Sequence, residues 1–244
     1  MTAPLWVVVP AYNEADRLGG TLAALAGQTD TDFTLLIVDN GSTDATAEVA
    51  RAFRGPFPTH VLSEPEKGVG CAVDTGFRHA IAQGAVHLAR TDADCLPEPG
   101  WVAAARAVLV DGGGLACGRI TARADEHGLA GRAFFRVLVT LAATFGRFRP
   151  EHRGPEFHAP YRMHAGNNMA ITAELYQACG GMPRRPSPTD RTFLNRVRRT
   201  TPAIVHSRRM VVANSTRRLR AYGLAGTARW YLDQGSGTRT ADPR

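Results

Sequence analysis

The chain has 244 residues, 44% of them hydrophobic and 21% charged, which suits one globular domain whose core needs no disulfide or metal staple. No apolar run approaches the roughly 20 residues that span a bilayer, and residues 5–9 are too short and lack the basic flank of a signal peptide, so a cytoplasmic chain without a membrane span is expected. The net charge of +7 points to an anionic partner: nucleic acid, an anionic lipid surface or a phosphorylated small molecule.

In chain order, Leu5-Trp-Val-Val-Val-Pro10 is a continuous apolar, β-branched run closed by proline, the profile of a parallel strand covered on both faces. A loop over 11–14 follows. Asn13 or Asp16 is the expected cap of a helix in which Leu18, Leu22 and Leu25 share one face. Phe33–Val38 reads as a second buried strand. It ends in a turn, 39–44, with Gly41 for backbone freedom and Asp44 placed to cap a helix running to about Phe53. The third repeat is a strand over 60–64, a turn over 65–70, and a helix with Val73, Phe77 and Ile81 on one face. A fourth strand starts at Ala85. This rhythm of strand, polar turn and helix predicts βαβ crossovers and a mostly parallel central sheet flanked by helices, the α/β class.

The fourth strand ends in Asp92-Ala-Asp94. Alternate side chains of an extended segment point the same way, so the two carboxylates can converge on one hard cation such as Mg²⁺ or Mn²⁺. The spacing alone is cheap, because Asp30 and Asp32 repeat it in a polar stretch with no strand before it. Position is the stronger signal: in open α/β sheets ligands lie beyond the carboxyl ends of the strands. Tyr12, Glu14, Asp39, Glu64, Lys67, Asp92 and Asp94 all fall there, which points to a nucleotide-type ligand. Lys67 is the only lysine of the chain and stands in a Gly-rich turn. Plainer readings exist: helix-start acids for Glu14 and Asp16, a solvated turn for Lys67.

Beyond Asp94, a helix is expected from about 99 to 110, a strand over 115–120, and an amphipathic helix marked by Phe134, Leu138, Leu141 and Phe145, facing either the core or a partner. Residues 146–165 are a polar stretch rich in Arg, His and Pro, a lid or a surface excursion. Asp190 opens a further helix, either as its cap or as an acid in a site. Short strands are expected at 203–206 and 210–213. A basic final helix begins near Asn214; it packs on the domain or lies on a membrane surface, and Arg217 and Arg218 suit a diphosphate clamp. The polar tail after Leu232 is expected to be disordered, leaving one domain over 1–232. Cys71, Cys95, Cys117 and Cys179 form no Cys-x-x-Cys pair and read as four buried thiols.

Residues 9–14, 38–44, Glu64 with Lys67-Gly68, Thr91-Asp-Ala-Asp94, then Gly166-Asn-Asn-Met-Ala-Ile171 and Gly180-Gly-Met-Pro183 resemble, in order and spacing, the successive motifs of family 2 glycosyltransferases of the GT-A fold. The resemblance implies a nucleotide-diphosphate sugar donor and Mn²⁺ or Mg²⁺, and it divides the domain into a nucleotide-binding half, 1–95, and a sugar/acceptor half, 96–232. It places Pro10, Ala11, Tyr12 and Glu14 around the base and ribose, Asp39 on the base, Lys67 on base or phosphates, Asp92 on ribose or metal, and Asp94 on the metal. It sets Asn167 and Asn168 toward the sugar and diphosphate, His206 on the metal, and Asp190 as the base of an inverting transfer. Thr189 stands where the family usually has Glu. The same donor site suits an alternative, pyranose-to-furanose isomerisation of an intact nucleotide sugar such as a GDP-sugar. A second alternative is a non-catalytic anion or nucleic-acid-binding module. The acceptor is unknown, and no nucleic-acid partner is expected.

Overall fold

A computed structural model describes residues 2–126, 128–146, 148, 150–184, 189–217, 223 and 226. Arg218, most of the expected final helix and the expected tail, 233–244, lie outside the described residues, as does the side chain of Phe145. The elements are β1 (Leu5–Ala11), α1 (Ala15–Ala26), β2 (Thr34–Asp39), α2 (Thr46–Ala52), β3 (Thr59–Ser63), α3 (Val69–Ala82), β4 (His87–Thr91), β5 (Leu96–Pro97), α4 (Trp101–Val110), β6 (Leu115–Ala122), α5 (Leu129–Gly146), β7 (Asn168–Thr172), α6 (Ala173–Ala178), α7 (Thr189–Thr200) and β8 (Ile204–Asn214).

One sheet carries the strands in the order β3-β2-β1-β4-β7-β6-β8-β5. The first four run parallel, as expected. β7 is antiparallel to both β4 and β6, β8 is parallel to β6, and β5 is antiparallel to β8. Strands covered on both faces need apolar residues at every position, and β1 is buried throughout. One face packs on α1, α2 and α4 through Leu18, Leu22, Leu25, Ala50 and Trp101; the other packs on α3, α6 and α7 through Val73, Phe77, Tyr176, Phe193 and Leu194. The carboxyl ends of β1, β2, β3 and β4 thus share one edge, where the site forms.

Three expectations are corrected. Neither Asn13 nor Asp16 caps α1: the Ala15 N–H donates to the Asp44 carboxylate (3.1 Å) and the Glu14 N–H to Thr46 Oγ1 (2.8 Å), so the next loop supplies the cap. Asp44 also accepts from the Thr46 N–H (3.0 Å) just before α2, although the N-cap position itself is Ala45. Asn13 has a left-handed φ of 51° and accepts from the Thr43 N–H (2.8 Å), locking the two loops together. The two short strands expected after 203 are one strand, β8, because both halves pair with β6 across a register shift between Cys117 and Arg119. In α5 the buried residues among the described side chains are Phe135 and Leu138, while Leu141 is 49% exposed.

The described part of 146–165 is pinned down. The Arg198 guanidinium of α7 lies 4.0 Å over the Phe157 ring and donates to the carbonyls of Ala159 (2.9 Å) and His152 (3.0 Å). Cation–π contact and three hydrogen bonds, the third to Asn195 Oδ1 (2.8 Å), hold an arginine that would be costly to bury alone. All four cysteines are free and buried, as expected.

Candidate active site

At the shared strand edge is a cleft of about 450 Å³ whose walls include Pro10, Ala11, Tyr12, Glu14, Lys67, Asp92, Asp94, Asn167 and Arg217. Residues from the ends of β1, β3 and β4, the start of β7 and the segment after β8 therefore meet in space. Each is positioned by identifiable bonds. Lys67 Nζ donates to the carbonyls of Asn40 (3.1 Å) and Gly41 (2.6 Å) and lies 4.0 Å over the Tyr12 ring. Gly41 has a φ of 70°, and a Cβ there would stand 3.1 Å from that ammonium, so the turn requires glycine.

Asn40, which the sequence reading passed over, stitches the site. Its side chain donates to the carbonyls of Glu64 (2.9 Å) and Glu66 (2.7 Å) and accepts from the Gly68 N–H (2.8 Å), fixing the loop that carries Lys67. The adjacent Asp39 is buried and accepts from the Ser42 N–H (3.2 Å); it closes its own turn and is not among the cleft-lining residues. Glu64 also faces inward. Burial pushes its carboxyl up, but hydrogen bonds from Thr75, the Glu66 N–H and Arg184 outweigh this and hold it below the ordinary range.

The acid edge is organised by two arginines. Arg217 forks onto Glu14 (2.6 and 2.8 Å) and reaches Asp94 Oδ2 (2.8 Å). Glu126 accepts from the Ser215 hydroxyl (3.1 Å) and the Thr216 N–H, which aims the chain after β8 into the cleft. Arg90, only 2% exposed, donates to Asp92 (3.0 and 3.4 Å) and to Asp190 Oδ1 (2.9 Å). Burial opposes its charge, but the two carboxylates outweigh burial and hold the guanidinium firmly protonated. Asp92 is raised by burial, with Asp94 and Asp190 adding to the rise and Arg90 opposing it. Asp190 is 38% exposed, and room for it comes from Gly166, where a Cβ would fall 2.1 Å from its carboxyl carbon. It also stands in the first turn of α7, where an acid favours the helix start.

Other candidates separate from the cleft. Asn168 is fully buried: its carbonyl oxygen accepts from Trp101 Nε1 (2.8 Å), and its amide donates to the carbonyls of Arg119 (2.8 Å) and Met210 (3.1 Å). It holds the sheet together and has nothing left to offer a sugar. Asn167 does line the cleft, donating to Cys95 Sγ (3.3 Å) with a buried carbonyl oxygen that has no partner among the described residues. His206 is exposed on β8, in register with Cys117, and is not a cleft-lining residue. Among the described residues no three His, Cys, Asp or Glu side chains converge as a metal cage. Cys95, Asn214 and Ser215 also line the cleft. The strand-end rule finds Asn214 only once β8 is known to run parallel to β6 as one strand. No described helix is long and apolar enough to cross a membrane.

Asp94 offers hard oxygen and already faces a cation, Arg217, while Asp92 is an acid whose anionic form a neighbouring divalent ion would favour. This donor set fits Mg²⁺ or Mn²⁺, which take one or two protein carboxylates and complete their shells with phosphate oxygens and water.

The family described as glycosyl transferase family 2 matches residues 6–175. Glycosyltransferase AglE of Haloferax volcanii is 38% identical over 100 residues, which is 39% of this chain and 32% of that protein. The chain thus spans about a third of the length of that relative. Among solved structures, the mannosyltransferase PcManGT from Pyrobaculum calidifontis, in complex with GDP-Man and Mn²⁺, superposes with a TM-score of 0.65 at 21% identity over 100% of this chain and 67% of that one. Glucosyl-3-phosphoglycerate synthase from Mycobacterium tuberculosis, with Mn²⁺ and UDP, gives 0.60 at 22% identity over 95% of this chain and 78% of that one.

Proposed function

The chain belongs to glycosyl transferase family 2, and on that premise we propose that it transfers a sugar from a nucleotide-diphosphate donor to an acceptor hydroxyl, with inversion and with the help of a divalent cation. The supporting observation is the Arg90 bridge. One buried guanidinium binds both Asp92, of the acidic donor-side motif, and Asp190, the candidate base, 98 positions apart in the chain. It sets the base beside the donor cleft.

In this reading Tyr12 and Lys67 receive the base end of the donor, and Asp94, with Asp92, would hold the metal. A cation there supplies electrostatic stabilisation of the leaving diphosphate. Arg217 adds a planar guanidinium suited to phosphate oxygens. Asp190 Oδ1 is held by Arg90, and Oδ2 accepts no hydrogen bond among the described residues, so Oδ2 is the atom that takes the acceptor's proton. The two solved structures named above are complexes with GDP-Man and Mn²⁺ and with UDP and Mn²⁺, which supports a nucleotide-sugar donor and a metal. None of them is an isomerase, and no feature of the cleft favours the mutase alternative.

The test is incubation with a panel of UDP-, GDP- and dTDP-sugars and Mn²⁺ without acceptor, followed by chromatography and mass analysis. Slow release of nucleoside diphosphate from one donor is expected. A sugar nucleotide of unchanged mass at a new position would overturn transfer in favour of isomerisation.

A further inference from the structure

α5 packs on the domain through Phe135 and Leu138 and leaves its opposite side to solvent. Leu129, Ala133, Val137 and Leu141 stand four residues apart, which places them in one row along that side, and all four are exposed. Leu129 is 82% exposed and Val137 54%. Seven large hydrophobic residues are exposed among the described ones, and four of them, Leu129, Val137, Leu141 and Phe148, lie in this one stretch. Scattered exposed apolar residues are ordinary on any surface, but a row of them along one helix marks a contact.

The parallel row beside it is Arg132, Arg136, Thr140 and Thr144, also exposed. Both threonine hydroxyls donate to the helix's own carbonyls, those of Arg136 and Thr140 (2.8 Å each), so they are satisfied without water. Residues 127–150 contain four arginines and no Asp or Glu. Neither Arg132 nor Arg136 forms an ion pair among the described residues. An 18-residue helix with an apolar row, arginines beside it and no acid has the make-up of helices that lie in the plane of a bilayer. It is not apolar enough to cross one.

We propose that the exposed side of α5 is a membrane-docking surface whose partner is a bilayer carrying anionic lipid headgroups. Leu129, Val137 and Leu141 enter the boundary of the acyl chains, and the guanidiniums of Arg132 and Arg136 reach up to the headgroup phosphates. A second copy of this chain fits the same face less well, because a two-fold pairing sets the arginines of both copies together with no acid to answer them. Glu126, three residues before Leu129, holds Ser215 and Thr216 of the segment that enters the cleft, so the docked helix begins beside the cleft.

The test is co-sedimentation of the full chain with sucrose-loaded vesicles at about 0.15 M salt, of phosphatidylcholine alone or with about 30% phosphatidylglycerol. The anionic vesicles are expected to bind the chain about tenfold or more better than the neutral ones. Leu129→Gln/Val137→Gln/Leu141→Gln is expected to weaken that binding about tenfold or more, and Arg132→Gln/Arg136→Gln to bring it close to the neutral-vesicle level. Both variants change exposed side chains only, so Tm and nucleoside-diphosphate affinity should stay as they are. No binding to anionic vesicles overturns the proposal, as does binding that the apolar variant keeps in full, which would leave only the net charge at work. A dimer in analytical ultracentrifugation that the apolar variant dissociates would also overturn it, making the face an interface between copies. No nucleotide sugar enters the readout, so its outcome is independent of the transfer reading.

Discussion

Arg217 and Glu14, 203 positions apart, form a two-pronged ion pair at 2.6 and 2.8 Å in which the carboxylate is 3% exposed. The residue that opens α1 is thereby a holder for the arginine that faces Asp94. Removing the guanidinium leaves a buried carboxylate short of its main partner. Arg217→Ala is expected to lower stability by about 2 kcal/mol in chemical denaturation. Glu14→Gln should leave the chain folded but weaken nucleoside-diphosphate binding several-fold in calorimetry, because the arginine is no longer aimed. Unchanged affinity would show that the pair only supports the fold.

Arg90 is more deeply committed. Arg90→Met strands two carboxylates around an apolar side chain, and a loss of about 3 kcal/mol is expected. Arg90→Lys keeps one charge but loses the fork, so it should restore stability partly while turnover stays low. Equal activity of Lys and Arg at this position would show that charge alone matters there.

The proposed base and the proposed metal ligand should separate in kinetics. Asp190→Asn is expected to remove turnover and leave donor affinity within about twofold, since only a proton acceptor is lost. Asp94→Ala should abolish the metal-dependent part of donor binding. If metal dependence survives in that variant, Asp94 is not the ligand.

Gly166→Ala tests the geometry without touching charge. The new Cβ would fall 2.1 Å from the Asp190 carboxyl carbon, so that side chain must swing off Arg90. Turnover is expected to drop about tenfold or more, with a fall in Tm smaller than that of Arg90→Met because Arg90 keeps Asp92. A large fall in Tm with normal turnover would mean that the backbone moved instead of the acid.

His164 gives a pH signature. Its folded pKa is lowered from 6.5 to about 4, so between those values the unfolded chain binds the extra proton. Stability from this group is full above about pH 6.5 and falls as pH drops toward 4. Urea midpoints at pH 7.5, 6 and 5 should decline, and His164→Gln should flatten that decline. An identical slope in the variant would assign it to other groups.

Much of the architecture was legible because it rests on local patterns. Unbroken apolar runs announce parallel strands covered on both faces, leucines at helical spacing announce α1, and the strand-end rule gathers Tyr12, Glu14, Lys67, Asp92 and Asp94 on one edge. These follow from side-chain periodicity and chain direction, which need no knowledge of distant contacts. The same patterns placed Asp39 and Glu64 at the edge, and the family resemblance set Asn168 toward the sugar. They did not reveal that Asp39 closes its own turn, that Glu64 serves Arg184 and Thr75, or that Asn168 is consumed by Trp101 and two carbonyls.

The sequence by itself determined the α/β class, the order of the parallel strands' turns and the acidic pair past β4. Only the tertiary structure decided which polar groups face the cleft. That choice depends on pairings between residues about a hundred or more positions apart: Arg90 with Asp190, Arg217 with Glu14, and β8 joined to β6 as a single strand. A buried polar side chain goes wherever its charge or hydrogen bonds are satisfied, and its partner for that is set by the fold and not by its neighbours in the chain.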